Sequence, residues 1–169
     1  EPEAVAHPAA VQAILEADMV VIAPGNLYGS LAPALVIREI QEALAATSAK
    51  CVFVCNLVTK PGPTDNLSVV DFASEIERLA GSEFLDYVVF NTDQPSAELM
   101  DKYAHDGEHV VQYDISELKR QHYEFRGAGI LAKNIWAGAQ SSDPIAAVRS
   151  FIRHDPDAVA RQLMRIYFA

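Results

Sequence analysis

Apolar and polar positions fall in two rhythms along this chain: short unbroken apolar runs, and longer stretches with apolar residues three or four apart. Met19 to Ala23, Cys51 to Cys55 and about Tyr87 to Phe90 are runs of the first kind. Such runs mark strands buried on both faces of a parallel sheet. His109 to Tyr113 reads as a fourth strand, and Gly127 to Ala132 as an edge strand. Helical spacing fills the intervals. His7-Pro8 opens a first helix carrying Ala10, Val11, Ile14 and Leu15, with proline tolerated in its first turn. A second helix opens near Ser30 and runs to about Ala46, with Leu31, Leu35, Ile37 and Ile40 as its apolar positions. Ser68 and Asp71 make a capping-box start for a third, whose stripe Val69, Phe72, Ala73, Ile76 and Ala80 ends at Gly81. Further helices are expected from Pro95 to about His105, at Ser116 to Gln121, and after the Asp155-Pro156 cap, with Val159, Leu163, Ile166 and Tyr167 on one face. Ser141 to Ile152 reads as a helix or an irregular connection.

Strand and helix units in alternation predict an α/β fold, a Rossmann-like doubly wound and mostly parallel sheet with helices on both faces. Residues 1–169 read as a single α/β domain. In such sheets ligands sit beyond the carboxyl ends of the strands. Three loops fall there: Pro24 to Ser30, Asn56 to Asn66 and Asn91 to Gln94. The first joins a buried strand to a helix through Pro24-Gly25, which places backbone N–H groups at a helix start, a geometry suited to phosphate. An ordinary strand-to-helix turn explains the same residues.

Half of the chain is hydrophobic, which excludes a disordered protein. A formal charge of −10 argues against a nucleic-acid or acidic-membrane partner. No apolar run approaches the ~20 residues that a membrane helix needs, and Glu1-Pro2-Glu3 has the wrong charge for a signal peptide. The first residue is not Met, which fits a fragment or a processed piece. Cys51 and Cys55 share one face of a strand and are too far apart for a disulfide. They read as buried thiols in a reduced, cytoplasmic setting, with no metal site implied.

Several segments resemble one family in order along the chain. Ala17-Asp18, then Pro24-Gly25-Asn26-Leu27-Tyr28-Gly29-Ser30 and Pro33, is similar to the Ala-Asp…Pro-Gly-Ser-Leu-Tyr-Thr-Ser…Pro of the CofD-like proteins. Cys55-Asn56-Leu57-Val58-Thr59-Lys60-Pro61-Gly62 resembles their Cys-Asn-Leu-Met-Thr-Gln-Pro-Gly. Val111-Gln112-Tyr113-Asp114 and Arg153-His154-Asp155-Pro156 resemble two further segments. The resemblance covers the carboxyl-terminal half of the family. The Gly-Gly-Gly-Thr-Gly loop and Asp-Asp-Gly-Gly segment of the amino-terminal half do not occur in this sequence. Asn26 and Gly29 stand where Ser and Thr are usual, and Pro63 where Glu is.

The family has two branches. Gluconeogenesis-factor (YvcK-like) proteins bind UDP-sugars and regulate carbon metabolism, cell-wall synthesis and cell shape. The 2-phospho-L-lactate transferases join a phospholactyl-type group to a deazaflavin, using a guanosine diphosphate donor and Mg2+. Leu27-Tyr28 and Arg153-His154-Asp155 lean to the first branch, Asn26 to the second. Both imply a nucleotide diphosphate or nucleotide-sugar ligand; a homo-oligomer is also expected. The first branch is the leading reading, and it requires no certain cofactor. Mg2+ enters only with transferase activity.

The expected ligand-binding set is Gly25, Asn26, Leu27, Tyr28, Ser30, Asn56, Thr59, Tyr113, Arg153 and His154. Asn26 and Ser30 either donate to phosphate or serve turn and capping chemistry. Tyr28 either stacks on a base, reaches a sugar hydroxyl or covers the sheet edge. Lys60 is either a ligand contact or a solvated side chain, and Asp114 either a metal ligand or a turn residue. Asp155 is accounted for as an N-cap, which leaves the Arg153 guanidinium for bidentate phosphate binding. No nucleophile–base pair stands out, so no catalytic residue is assigned.

Overall fold

The computed structural model describes residues 4–132 and 152–169. Its centre is a four-stranded, all-parallel sheet of β1 (Met19–Ile22), β2 (Lys50–Val54), β3 (Tyr87–Asn91) and β4 (Glu124–Ala128), in that spatial order. Met19 pairs with Lys50, Val52 with Tyr87 and Phe90 with Gly127. Period-2 alternation divides the side chains between two cores. Val20, Ile22, Cys51, Phe53, Val88, Phe90 and Phe125 face one core, shared with α2 (Ala32–Leu35), α3 (Arg38–Ala46) and α4 (Val69–Ala80). Met19, Val52, Val54, Tyr87, Val89 and Ala128 face the other, closed by Ala158, Leu163 and Ile166 of α7 (Pro156–Tyr167). Helices therefore cover both faces, as the alternation of elements predicts.

Local chemistry sets the helix ends. The His7 ring accepts from the Ala9 amide to cap α1 (Pro8–Glu16). Ser68 and Asp71 make both hydrogen bonds of a capping box on α4, and Gly81 ends that helix at φ 76°, where only glycine is unstrained. Asp155 accepts from the Ala158 amide and starts α7 with Pro156 in its first turn. Among the described residues the remaining α-helices are α5 (Ala97–His105) and the single turn α6 (Ile115–Leu118).

Three expectations need correction. His109 to Tyr113 is extended but lies outside the sheet: Val110 bridges antiparallel to Val58, and the Val111 amide donates to the Leu57 carbonyl. The fourth strand is instead Glu124–Ala128, three residues earlier than the expected edge strand. Its alternating, partly charged pattern is that of an edge with water on one side. Glycine serves it at Gly127, where an added Cβ would lie 2.9 Å from both Phe90 Cζ and Thr92 Cγ2. Finally, the helix expected from Ser30 to Ala46 breaks at Val36-Ile37, a β-branched pair of reduced helix propensity, with Ile37 extended and capping α3. The expected element at Ser141 to Ile152 lies outside the described residues, Ile152 apart.

Candidate functional site

Because all four strands run the same way, the loops after β1, β2 and β3 leave from one edge of the sheet. The loop after β1 does not start an ordinary α-helix. Asn26 takes the cap: its Oδ1 accepts from the Gly29 amide at 2.8 Å, and its carbonyl accepts from the Ser30 and Leu31 amides. The Leu31 bond spans five residues, and so does that from the Ala32 amide to the Leu27 carbonyl, which makes Leu27–Leu31 a π-helical turn. Such turns recur at functional sites. Among the described residues the Leu27 and Tyr28 amides have no protein acceptor.

Side-chain bonds tie this loop to its neighbours. Asn56, at the end of β2, donates from Nδ2 to the Gly25 carbonyl at 2.8 Å. Its Oδ1 is buried and has no hydrogen-bond partner. His154 lies 3.1 Å from the carbonyl of Cys55 through Nε2, so the segment before α7 is anchored on β2. Since a carbonyl only accepts, Nε2 carries the proton. Burial lowers the pKa of this imidazole, with the Cys55 carbonyl opposing, and so favours the neutral ring. Leu131 bridges antiparallel to His154, and the Asp155 amide donates to the Ile130 carbonyl. Asn91 holds the third loop: its Oδ1 accepts from the amides of Asp93 and Ile130.

The expected site residues separate by role. Gly25, Asn26, Asn56 and His154 converge through the bonds above. Leu27 is 2% exposed and points into the core, leaving only its backbone for a ligand. Thr59 is also 2% exposed; its hydroxyl and backbone bond the amide and carbonyl of His109, so it stitches two loops together. Ser30 is exposed. Tyr113 is half exposed, with its ring 4.6 Å from that of Phe90 at the end of β3. The Arg153 side chain is exposed, and its carbonyl accepts from the Ala132 amide.

Some partnerships join residues far apart in sequence. Tyr28 donates to Glu75 Oε1 at 2.8 Å, and Glu75 is held bidentately by Arg78. That guanidinium pulls the Glu75 carboxyl below its usual range, while the bond to Glu75 raises the Tyr28 phenol. The i,i+3 spacing of Glu75 and Arg78 is legible in the sequence; the arrival of Tyr28 is not. Lys60 pairs with Glu108, and Asp114 caps α6 by accepting from the Ser116 amide. Both cysteines are free and buried, and burial pushes the Cys51 thiol up to about 11 and Cys55 further still, so neither is a ready nucleophile.

Mg2+ has no protein cradle among the described residues, where no three His, Cys, Asp or Glu side chains form a group able to hold a metal. Among the same residues, no helix is long and apolar enough to cross a membrane.

The model of the 2-phospho-L-lactate transferase CofD family matches residues 1–131. The chain belongs to the CofD family. Within it, a putative gluconeogenesis factor of Clostridium acetobutylicum is 36% identical over 154 residues, covering 91% of this chain and 31% of that protein. The gluconeogenesis factor of Bacillus subtilis is 31% identical over 158 residues, covering 93% and 45%. A solved Bacillus halodurans structure from the UPF0052 family superposes with a TM-score of 0.80 at 25% identity, covering 95% of this chain and 47% of that one. This CofD-family chain thus spans less than half the length of these relatives, and the two curated ones carry the gluconeogenesis-factor name.

Proposed function

We propose that this chain contributes the diphosphate-binding part of a nucleotide-sugar-binding regulatory protein of the gluconeogenesis-factor type. The observation that carries the proposal is the edge built by Gly25, Asn56 and His154. There, loops from two strands and the segment before α7 are latched together by side-chain-to-backbone bonds. Beside this latch stand the two unpaired amides of Leu27 and Tyr28. Two adjacent N–H groups suit the oxygens of a diphosphate. Arg153, on the segment that His154 anchors, supplies a positive charge for the same anion. UDP-sugars are the ligand class that the gluconeogenesis-factor branch implies. A cytoplasmic regulator of carbon metabolism and cell-wall synthesis, working as a homo-oligomer, belongs to the same proposal.

Transferase chemistry is the second reading, favoured by Asn26 and by the transferase description of the matching family model. Titration calorimetry on the full-length protein separates the two. UDP-N-acetylglucosamine should bind without added metal. No heat at millimolar UDP-sugar, with GDP binding in its place, would overturn the regulatory reading.

A further inference from the structure

Asn56 has a two-ended side chain, and the structure uses only one end. Nδ2 donates to the Gly25 carbonyl at 2.8 Å, while Oδ1 is buried and accepts nothing. The amide cannot simply be turned over, because that would set its oxygen against another carbonyl oxygen. The free end is therefore an acceptor in a fixed orientation. A buried acceptor without a donor is disfavoured, so a group that brings an N–H or O–H to it gains the full bond. Phosphate oxygens accept as well, and they are repelled there. The donor must come from another part of the ligand.

Its place is set by the loop. Gly25, which holds Nδ2, is two residues before the unpaired Leu27 amide, and consecutive Cα atoms are about 3.8 Å apart. Only groups close to the phosphate can span such an interval. Hydroxyl groups of the ribose and hydroxyl or amide groups of the sugar joined to the diphosphate both qualify, whereas the base lies on the far side of the ribose. Only the second kind distinguishes a nucleotide-sugar from UDP. We infer that Asn56 is a specificity-determining residue whose Oδ1 accepts a hydrogen bond from a hydroxyl or amide of the sugar attached to the diphosphate. This selects a nucleotide-sugar over the bare nucleotide, and it rests on the nucleotide-sugar reading given above.

A cycle of two proteins and two ligands tests the assignment. Calorimetry with UDP and with UDP-N-acetylglucosamine is run on the full-length protein and on its Asn56→Ala variant. In the unaltered protein the sugar should improve affinity about tenfold or more, as one well-placed hydrogen bond allows. In Asn56→Ala that preference should fall to near unity, over and above any loss that UDP and the UDP-sugar share through the missing bond to the Gly25 carbonyl. An equal preference in both proteins would overturn the role of Asn56 and leave the nucleotide-sugar reading standing. Failure of both ligands to bind the unaltered protein would overturn that reading, and this inference with it. Should Asn56→Ala not fold, or lose both ligands with the bond to Gly25, UDP-sugars lacking single ring hydroxyls or the acetamide are titrated against the unaltered protein. Loss of affinity on removing one such group supports the inference; no loss for any of them refutes it.

Discussion

The Asn26 side chain lies across the space that a Cβ on Gly29 would occupy. Such a Cβ would stand 3.1 Å from both Asn26 Cγ and Oδ1, closer than ordinary van der Waals contact. Asn26 Oδ1 also holds the Gly29 amide, so the two positions form one unit. The Ser and Thr of the resembling family motif fit the same rule, a shorter cap beside a larger neighbour, so the two departures from that motif read together as one exchange of volume.

Gly29→Ala should therefore destabilise the protein by about 1–3 kcal/mol, the usual cost of overpacking. In an Asn26→Ser background the same change should be neutral, or stabilising by about 0.4–1 kcal/mol through loss of unfolded-state entropy. Gly29 has no positive φ to forbid the alanine. Denaturant unfolding of the four proteins measures the coupling. Additive effects would show that the two positions do not share space.

How much of this was legible beforehand depends on how local each feature is. Buried strands β1, β2 and β3, the capping box at Ser68 and Asp71, and the caps at Gly81 and Asp155 each depend on a few neighbouring residues, and all stand where the pattern puts them. His109 to Tyr113 reads as a sheet strand because an extended apolar segment does not name its partner; its His109 to Val111 stretch pairs instead with Leu57 to Thr59. β4 begins before the apolar run that marks it in the sequence, because its edge position and its charged residues Glu124 and Arg126 dilute that run. That the three loops share one edge of the sheet is legible from topology alone. The bond from His154 to Cys55 joins residues 99 apart and had no signal in the sequence, and the same is true of the role of Thr59 as a stitch.

β1 presents Met19-Val20-Val21-Ile22 at a sheet edge, with no strand beyond it among the described residues and Val21 38% exposed. It carries no charge or proline of the kind that blunts edge pairing. As an isolated 169-residue chain the protein should therefore self-associate. Val21→Lys should reduce that association in analytical ultracentrifugation while shifting stability by no more than about 0.5 kcal/mol. Unchanged association would place the contact elsewhere.

His154 should make stability depend on pH. Its folded pKa lies below the ordinary value of 6.5, because burial favours the neutral ring. Below pH 6.5 the unfolded chain therefore binds the proton first, and stability falls as the pH drops toward the folded value. Above 6.5 the contribution is fully present. Thermal midpoints measured between pH 7.5 and 5 should decline at the acid end. His154→Gln, which retains a neutral donor for the Cys55 carbonyl but cannot titrate, should flatten that decline. An equally steep decline in the variant would assign the proton uptake to other groups.

Arg153 precedes a helix that Asp155 and Pro156 already start, so α7 does not depend on it for capping. Its side chain is exposed, while its carbonyl is engaged by the Ala132 amide in a backbone pairing that a substitution leaves in place. Under the proposed function it faces the diphosphate, a charged partner for which one lost hydrogen bond costs about 1.5–3 kcal/mol. Arg153→Ala should therefore weaken UDP and UDP-N-acetylglucosamine by the same factor, roughly ten- to a hundredfold. The unchanged preference sets it apart from Asn56→Ala, which should abolish the advantage of the sugar-bearing ligand over UDP. Large destabilisation with both affinities intact would make Arg153 a structural residue and remove it from the site.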